Sequence, residues 1–195
     1  MTKSIANFIS YALNPPFVLI FSTFLLIFRT NGNFISALVW AFYSFFFLLF
    51  LAAFLIYGVH KGFLTDLDVS KRKQRPLLFI VSLIISTVYL IGLYLLHAPQ
   101  ILVVFTYAII LCLILFSIIN TFIKASLHVA TVSAFLIALS LEYKGLYFIL
   151  LLFIPLVAWA RVKIKRHSVA EAIVGGILGS LLSLGMYLFV YAFNL

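Results

Sequence analysis

Three polar segments that could carry out chemistry interrupt an otherwise apolar sequence, namely TDLDVSKRKQRP (65–76), KASLHVA (124–130) and ARVKIKRHSVAE (160–171). Together they offer cations, a hydroxyl and two imidazoles, in the order Lys71, Arg75, Lys124, Ser126, His128, Arg161 and His167. Fixed cations near the unpaired N–H groups of helix N-termini favour binding of an anion. Two histidines beside an anion can serve as nucleophile and general acid. These residue types predict attack on a phosphate ester.

The acidic residues are too few for a magnesium enzyme, which normally binds its metal through several carboxylates. Only four Asp and Glu residues are present, and Asp66 and Asp68 have no further acidic neighbours. We interpret these two as partners of nearby lysines. The sequence therefore predicts neither a metal site nor a cofactor, and nucleic acid is not an expected partner.

The segments resemble the three motifs of the type 2 phosphatidic acid phosphatase family, the lipid phosphatases related to vanadium haloperoxidases. That family's pattern is a lysine, six residues and Arg-Pro; then Pro-Ser-Gly-His; then Ser-Arg, five residues, His, three residues and Asp. Here Arg75-Pro76 matches the end of the first motif. Ser126-Leu127-His128 matches the serine and histidine of the second.

The third motif is matched by its spacing, since Arg161 is followed by five residues, His167, three residues and Glu171. The resemblance covers about residues 60–180 and includes the order of the motifs. It implies a six-helix phosphatase-like core at about residues 34–193, preceded by an additional span.

Several positions depart from the family pattern. The family lysine would fall at Asp68, and Lys71, four residues before Arg75, could substitute for it on a shared helical face. The remaining departures are Ala125 for proline, Leu127 for glycine, Ala160 for serine and Glu171 for aspartate. They leave open a slow enzyme, an altered substrate or a non-catalytic relative.

The resemblance implies a role for each matched residue. His167 would attack phosphorus and form a phosphohistidine, Glu171 would orient His167, and His128 would protonate the leaving group. The phosphoryl oxygens, whose charge changes in the transition state, would be held by four side chains. These are Lys71, Arg75, Ser126 and Arg161.

Ordinary structural roles compete with some of these assignments. Ser126 is equally suited to be a helix N-cap, and Ser168 with Glu171 forms the pattern of a capping box. His128 follows the start of an apolar span, where an ionisable residue is costly and usually functional. The spacing of His167 within the third motif favours catalysis over a role in the basic run around it.

The elements that must position these residues are membrane helices. The 195-residue chain is 66% hydrophobic and 9% charged, whereas soluble domains carry about a quarter charged residues. We expect a single all-α integral membrane domain over residues 1–195. Its predicted spans are 12–29, 34–59, 76–96, 99–122, 126–142, 145–160 and 169–193. Pro155 should kink the sixth, and Gly175, Gly176 and Gly179 should allow close helix contact in the last.

The cations are unevenly distributed between the two sets of loops. Arg29 and Lys144 would lie on one side, and the other eleven of the 13 Lys and Arg residues on the opposite side with the three segments. The positive-inside rule therefore predicts that the motif-bearing loops are cytoplasmic. The remaining cations of these loops would contact anionic membrane lipids.

Two functions are compatible with these patterns. The first is a phosphatase acting on a lipid phosphate or an isoprenoid diphosphate, with its tail in the bilayer. The second is a non-catalytic membrane protein that binds anionic lipid. A small-solute transporter fits less well, because neither a midplane charge nor an inverted repeat is visible.

Overall fold

The computed structural model describes residues 2–143 and 145–193, and every regular element in these ranges is a helix. The α-helices are α1 (Thr2–Ala12), α2 (Pro15–Asn31), α3 (Phe34–His60), α4 (Arg75–Leu95), α5 (Gln100–Ile119), α6 (Leu127–Tyr143), α7 (Phe153–Lys163) and α8 (Val169–Phe193). Two 3₁₀ segments cover Arg72–Gln74 and Gly145–Leu152. The all-α prediction is confirmed, whereas Lys144, assigned from sequence to the sparsely charged side, lies outside the described residues.

Four helices of the described chain, α3, α4, α5 and α8, are long and apolar enough to cross a membrane. The pair α1 and α2, bent by 44°, would make a fifth span. The protein is thus a multi-pass membrane protein. The first predicted span, 12–29, corresponds to α2, and the sequence did not predict α1.

Two predicted spans are not full-length α-helices. The fifth corresponds to α6, whose 17 residues extend about 26 Å, short of a hydrocarbon core about 30 Å thick. The sixth divides into the 3₁₀ segment Gly145–Leu152 and the eleven-residue α7. The helix type changes between Leu152 and Phe153, two residues before Pro155, where the sequence predicts a kink. Pro155 lies in the first turn of α7, where its missing N–H is tolerated.

The chain divides into two compact units. Unit 1 comprises Met1–Leu19 and Ile123–Leu195. Within it α6 packs along α8, and α1 packs against α7. A Cβ at Gly175 or Gly179 would collide with the α6 backbone at Ser126 or Ala130, so the expected close helix contact is confirmed. The buried core residues are Val18, Val129, Val132, Leu136, Val157 and Ala172.

Unit 2 comprises Ile20–Phe122 and contains α3, α4 and α5. Its core is formed by Ile27, Ala37, Leu93 and Leu102. A polar contact joins α3 to α4, where the Ser44 Oγ and Tyr89 hydroxyl oxygens lie 2.8 Å apart. Such hydrogen bonds help to hold helices together in membranes, because apolar side chains contact lipid tails about as favourably as they contact another helix.

Candidate active site

The turn between α7 and α8 sets the position of His167. The α7 helix ends in a Schellman motif, in which Lys165 has a left-handed φ of 61°. The Lys165 N–H donates to the Val162 carbonyl at 2.9 Å, and the Arg166 N–H donates to the Arg161 carbonyl at 3.0 Å. The His167 N–H reaches the same Arg161 carbonyl at 3.3 Å. The turns of this helix cap therefore account for the six positions that separate Arg161 from His167 in the sequence.

Glu171 joins His167 to the start of α8. The Glu171 N–H donates to Ser168 Oγ at 3.2 Å, and the Ser168 N–H donates to Glu171 Oε2 at 3.1 Å, which completes the predicted capping box. The same Oε2 lies 3.0 Å from His167 Nδ1, and the His167 side chain is 2% exposed. Capping and orientation of the imidazole thus share one carboxylate oxygen.

Lys124 is a further cation at this pair, and the motif pattern gives it no individual role. Its Nζ donates to the Arg166 carbonyl at 2.9 Å and lies 3.6 Å from Glu171 Oε2. The ammonium group therefore contacts both the turn before His167 and the carboxylate that holds the imidazole. The feature of the sequence that indicates this contact is the position of Lys124, two residues before Ser126 of the second motif.

Ser126 is completely buried and links α6 to α8 through the backbone. Its N–H donates to the Glu171 carbonyl at 3.0 Å, and its Oγ accepts from the Val129 N–H at 3.4 Å. The second contact is the N-cap arrangement that the sequence allowed. His128 is the second residue of α6 and is half-buried.

Arg161 is held by a residue that the sequence analysis did not identify. Arg161 is 3% exposed, and its Nη1 donates to Ser10 Oγ in α1 at 2.7 Å. Ala6 and Ser10 are the buried residues of α1, four positions apart. This small-xxx-small spacing is common at helix contacts in membranes and was the signal available in the sequence.

The first motif lies in unit 2, and its geometry corrects one prediction. Lys71 has an extended backbone, precedes a 3₁₀ turn and is exposed, whereas Arg75 begins α4 and is 3% exposed. The proposed shared helical face of Lys71 and Arg75 is therefore wrong, because no α-helix connects them. The Arg75 Nε donates to the Val69 carbonyl at 3.2 Å.

The carboxylate of Asp66 takes part in the folding of its own loop. Asp66 Oδ1 accepts from the Asp68 N–H at 3.0 Å and from Ser70 Oγ at 2.9 Å. Aspartate commonly stabilises turns in this way. Across the described ranges, no three His, Cys, Asp or Glu side chains are grouped so that they could hold a metal ion.

Unit 1 thus brings the second and third motifs together. Ser126 contacts Glu171 through the backbone, Glu171 holds His167, and the α7 cap connects His167 to Arg161. An imidazole whose Nδ1 is bound by a carboxylate can present its Nε2 lone pair as a nucleophile, and nearby cations can hold an anion. Comparison with family models, with curated protein sequences and with solved structures finds no match.

Proposed function

We propose that this protein is an integral membrane phosphatase that hydrolyses a phosphomonoester or diphosphate of a lipid or polyprenol. The observation that carries the proposal is the 3.0 Å contact between His167 Nδ1 and Glu171 Oε2. A carboxylate in this position fixes the tautomer and the orientation of the ring, and it stabilises positive charge that develops on it. The 3.6 Å separation of Lys124 and Glu171 adds a cation beside the pair.

The reaction would proceed in two displacements at phosphorus. His167 Nε2 attacks, the bond from phosphorus to the lipid oxygen or bridging diphosphate oxygen breaks, and His128 gives a proton to the departing oxygen. Water then attacks the phosphohistidine, the phosphorus–nitrogen bond breaks, and His128 takes a proton from that water. Arg161 would stabilise the phosphoryl oxygens throughout, with Ser126 as a further candidate from the motifs.

The test is a phosphate-release assay on the purified full chain with phosphatidate, phosphatidylglycerol phosphate and isoprenoid diphosphates in mixed micelles. Substrate labelled with ³²P should leave acid-labile, alkali-stable radioactivity on the wild-type protein. Both this label and turnover should disappear in His167→Ala. Because His60 is exposed at the end of α3, His60→Ala is the matched control and should behave as wild type.

Normal hydrolysis by His167→Ala would exclude His167 as the nucleophile. Slower labelling and slower phosphate release in His128→Ala, each by roughly 10²- to 10⁴-fold, would support the assignment of His128 to proton transfer, since it acts in both steps.

A second candidate is a non-catalytic protein that binds anionic lipid. It is favoured by the burial of the proposed nucleophile, whose side chain is 2% exposed, and by the contacts that Arg161 and Lys124 already make within the protein. The phosphate-release assay separates the candidates, since this one requires binding of phosphatidate without release of phosphate from any substrate.

We further propose that the motif-bearing loops face the cytoplasm. The support is the charge distribution, in which nine cations remain on that side even when Arg75 and Arg161 are left out. The phosphorylated headgroup would then enter from the cytoplasmic leaflet.

A further inference from the structure

The N-terminal helix α1 supplies a hydroxyl to the guanidinium of the third motif. Ser10 is 6% exposed and lies in the last turn of α1, within unit 1, where α1 packs against α7. Its Oγ is 2.7 Å from Arg161 Nη1. The neighbouring residue in α7, Ala160, is completely buried and has no polar side chain. The hydroxyl beside Arg161 therefore comes from Ser10, 151 positions earlier in the sequence.

The hydroxyl hydrogen of Ser10 has no acceptor among the described residues at this contact. A guanidinium only donates hydrogen bonds, so Ser10 Oγ must be the acceptor. Ser10 makes no other side-chain hydrogen bond within the described residues, and its own O–H group therefore has no acceptor there. A buried hydroxyl usually finds a partner, so this donor is available to a ligand.

We propose that Ser10 and Arg161 together bind a phosphoryl group, with the Ser10 O–H and the guanidinium donating to different oxygens of the same anion. Charge-assisted hydrogen bonds of this kind are short and strong, and the planar guanidinium suits phosphate. Ser10 is then a substrate-binding residue, and α1 is part of the site. The inference rests on the proposed function for the identity of the substrate, a lipid phosphate, but not for binding of the phosphoryl group itself.

The first test measures binding without catalysis. Inorganic phosphate is titrated into the full-length protein in detergent, and its dissociation constant is measured by ³¹P NMR line broadening. Ser10→Ala should weaken binding about tenfold, as expected for loss of a hydrogen bond to a charged group. Ser10→Thr, which keeps the hydroxyl, should bind within about threefold of wild type. Ser4→Ala is the matched control on the exposed side of α1.

The second test separates a lipid headgroup from free phosphate as the source of the anion. Ser10→Ala should raise KM for phosphatidate about tenfold with little change in kcat, since binding is lost equally in the ground and transition states. Competition by inorganic phosphate should weaken in parallel. A lower dissociation constant for phosphatidate than for inorganic phosphate would identify the lipid headgroup as the ligand, and equal values would identify the phosphate group alone.

The inference and the proposed function can fail separately. If phosphate binding depends on Ser10 but no lipid phosphate is hydrolysed, the inference stands and the phosphatase proposal fails. If hydrolysis occurs and Ser10→Ala changes neither the phosphate dissociation constant nor KM, Ser10 only packs α1 against α7 and the inference is wrong. Absence of binding to either anion in wild type also overturns it. Should Ser10→Ala not fold, Ser10→Cys must bind more weakly than Ser10→Thr, because a thiol is a weak donor.

Discussion

The carboxylate of Glu171 serves the fold and the proposed chemistry through the same oxygen. Its Oε2 accepts the Ser168 N–H that caps α8 and lies 3.0 Å from the His167 imidazole. The two roles have different requirements, because a cap needs only a hydrogen-bond acceptor, whereas a partner for an imidazole that becomes positive needs a negative charge. Substitutions can therefore separate stability from activity at this one residue.

We predict that Glu171→Gln folds nearly as well as wild type but loses most of its activity. Glutamine still accepts at the capping position, so the unfolding free energy should change by less than about 0.5 kcal/mol. Phosphate release should fall by roughly 10²- to 10⁴-fold, because the charge that orients and stabilises the imidazole is gone. Thermal unfolding and hydrolysis rates measured on the same preparation check both expectations.

Two further variants define the outcome for Glu171. Glu171→Ala should lose activity and also about 1 kcal/mol of stability, since the cap is lost as well. Glu142→Gln, on the exposed surface of α6, should change neither property. Wild-type turnover in Glu171→Gln would show that the charge at this position plays no part in the reaction.

Lys124 belongs to the same cluster, and we predict that Lys124→Met lowers kcat/KM about tenfold. Its ammonium donates to the Arg166 carbonyl and neighbours Glu171, so its loss releases the turn that carries His167. Lys124→Arg should retain more activity because it keeps the charge. Lys163→Met is the control, as Lys163 is exposed on α7. Equal activity of the two methionine variants would leave Lys124 with no role beyond that of a surface cation.

At the scale of elements, the close packing of α6 and α8 positions the site. The Ser126 N–H meets the Glu171 carbonyl only because Gly175, one turn further along α8, has no side chain to collide with the Ser126 backbone. Gly179 allows the same approach at Ala130. The glycines thus set the separation of the two helices, although they carry no chemistry themselves.

We predict opposite effects of alanine at two glycines of α8. Gly179→Ala should destabilise the protein by about 1–3 kcal/mol, because the added methyl overlaps the α6 backbone and the helices must separate. Gly185→Ala should be neutral or stabilising by up to about 1 kcal/mol, since the space there is open and alanine favours a helix. Thermal unfolding in detergent compares them. Equal midpoints would mean that α6 and α8 are not closely packed in solution.

At the scale of the whole molecule, features set by residues close together in the sequence could be predicted, whereas contacts between distant segments could not. Long apolar runs identify α3, α4, α5 and α8 directly, because helix length in a membrane follows from hydrophobic length. The resemblance to the phosphatase motifs implies the contact of His167 with Glu171, and the two side chains lie 3.0 Å apart. The contact between Ser10 and Arg161 joins distant segments, and no local pattern specifies their pairing.

Local irregularities account for the errors. The short helix α1 carries Lys3, Ser4, Asn7 and Ser10, and it does not have the continuous apolar run used to identify spans. The spacing of Lys71 from Arg75 suggests a shared helical face, but the turn built around Asp66 and the left-handed Val69 keeps that segment non-helical. In both cases a polar side chain makes a hydrogen bond that stabilises the observed structure, and hydropathy does not reveal such bonds.

The orientation of the protein in its membrane is the prediction with the widest consequences, since it decides which leaflet supplies the substrate. Cys112 is the sole cysteine in the sequence, so Cys112→Ala provides a background for single-cysteine variants. In that background Lys163→Cys and Lys73→Cys should react with a membrane-impermeant maleimide only after cell lysis, because the positive-inside rule retains their loops in the cytoplasm. Arg29→Cys should react in intact cells. Reaction of Lys163→Cys in intact cells as fast as Arg29→Cys would reverse the assignment and place the third motif toward the outer leaflet.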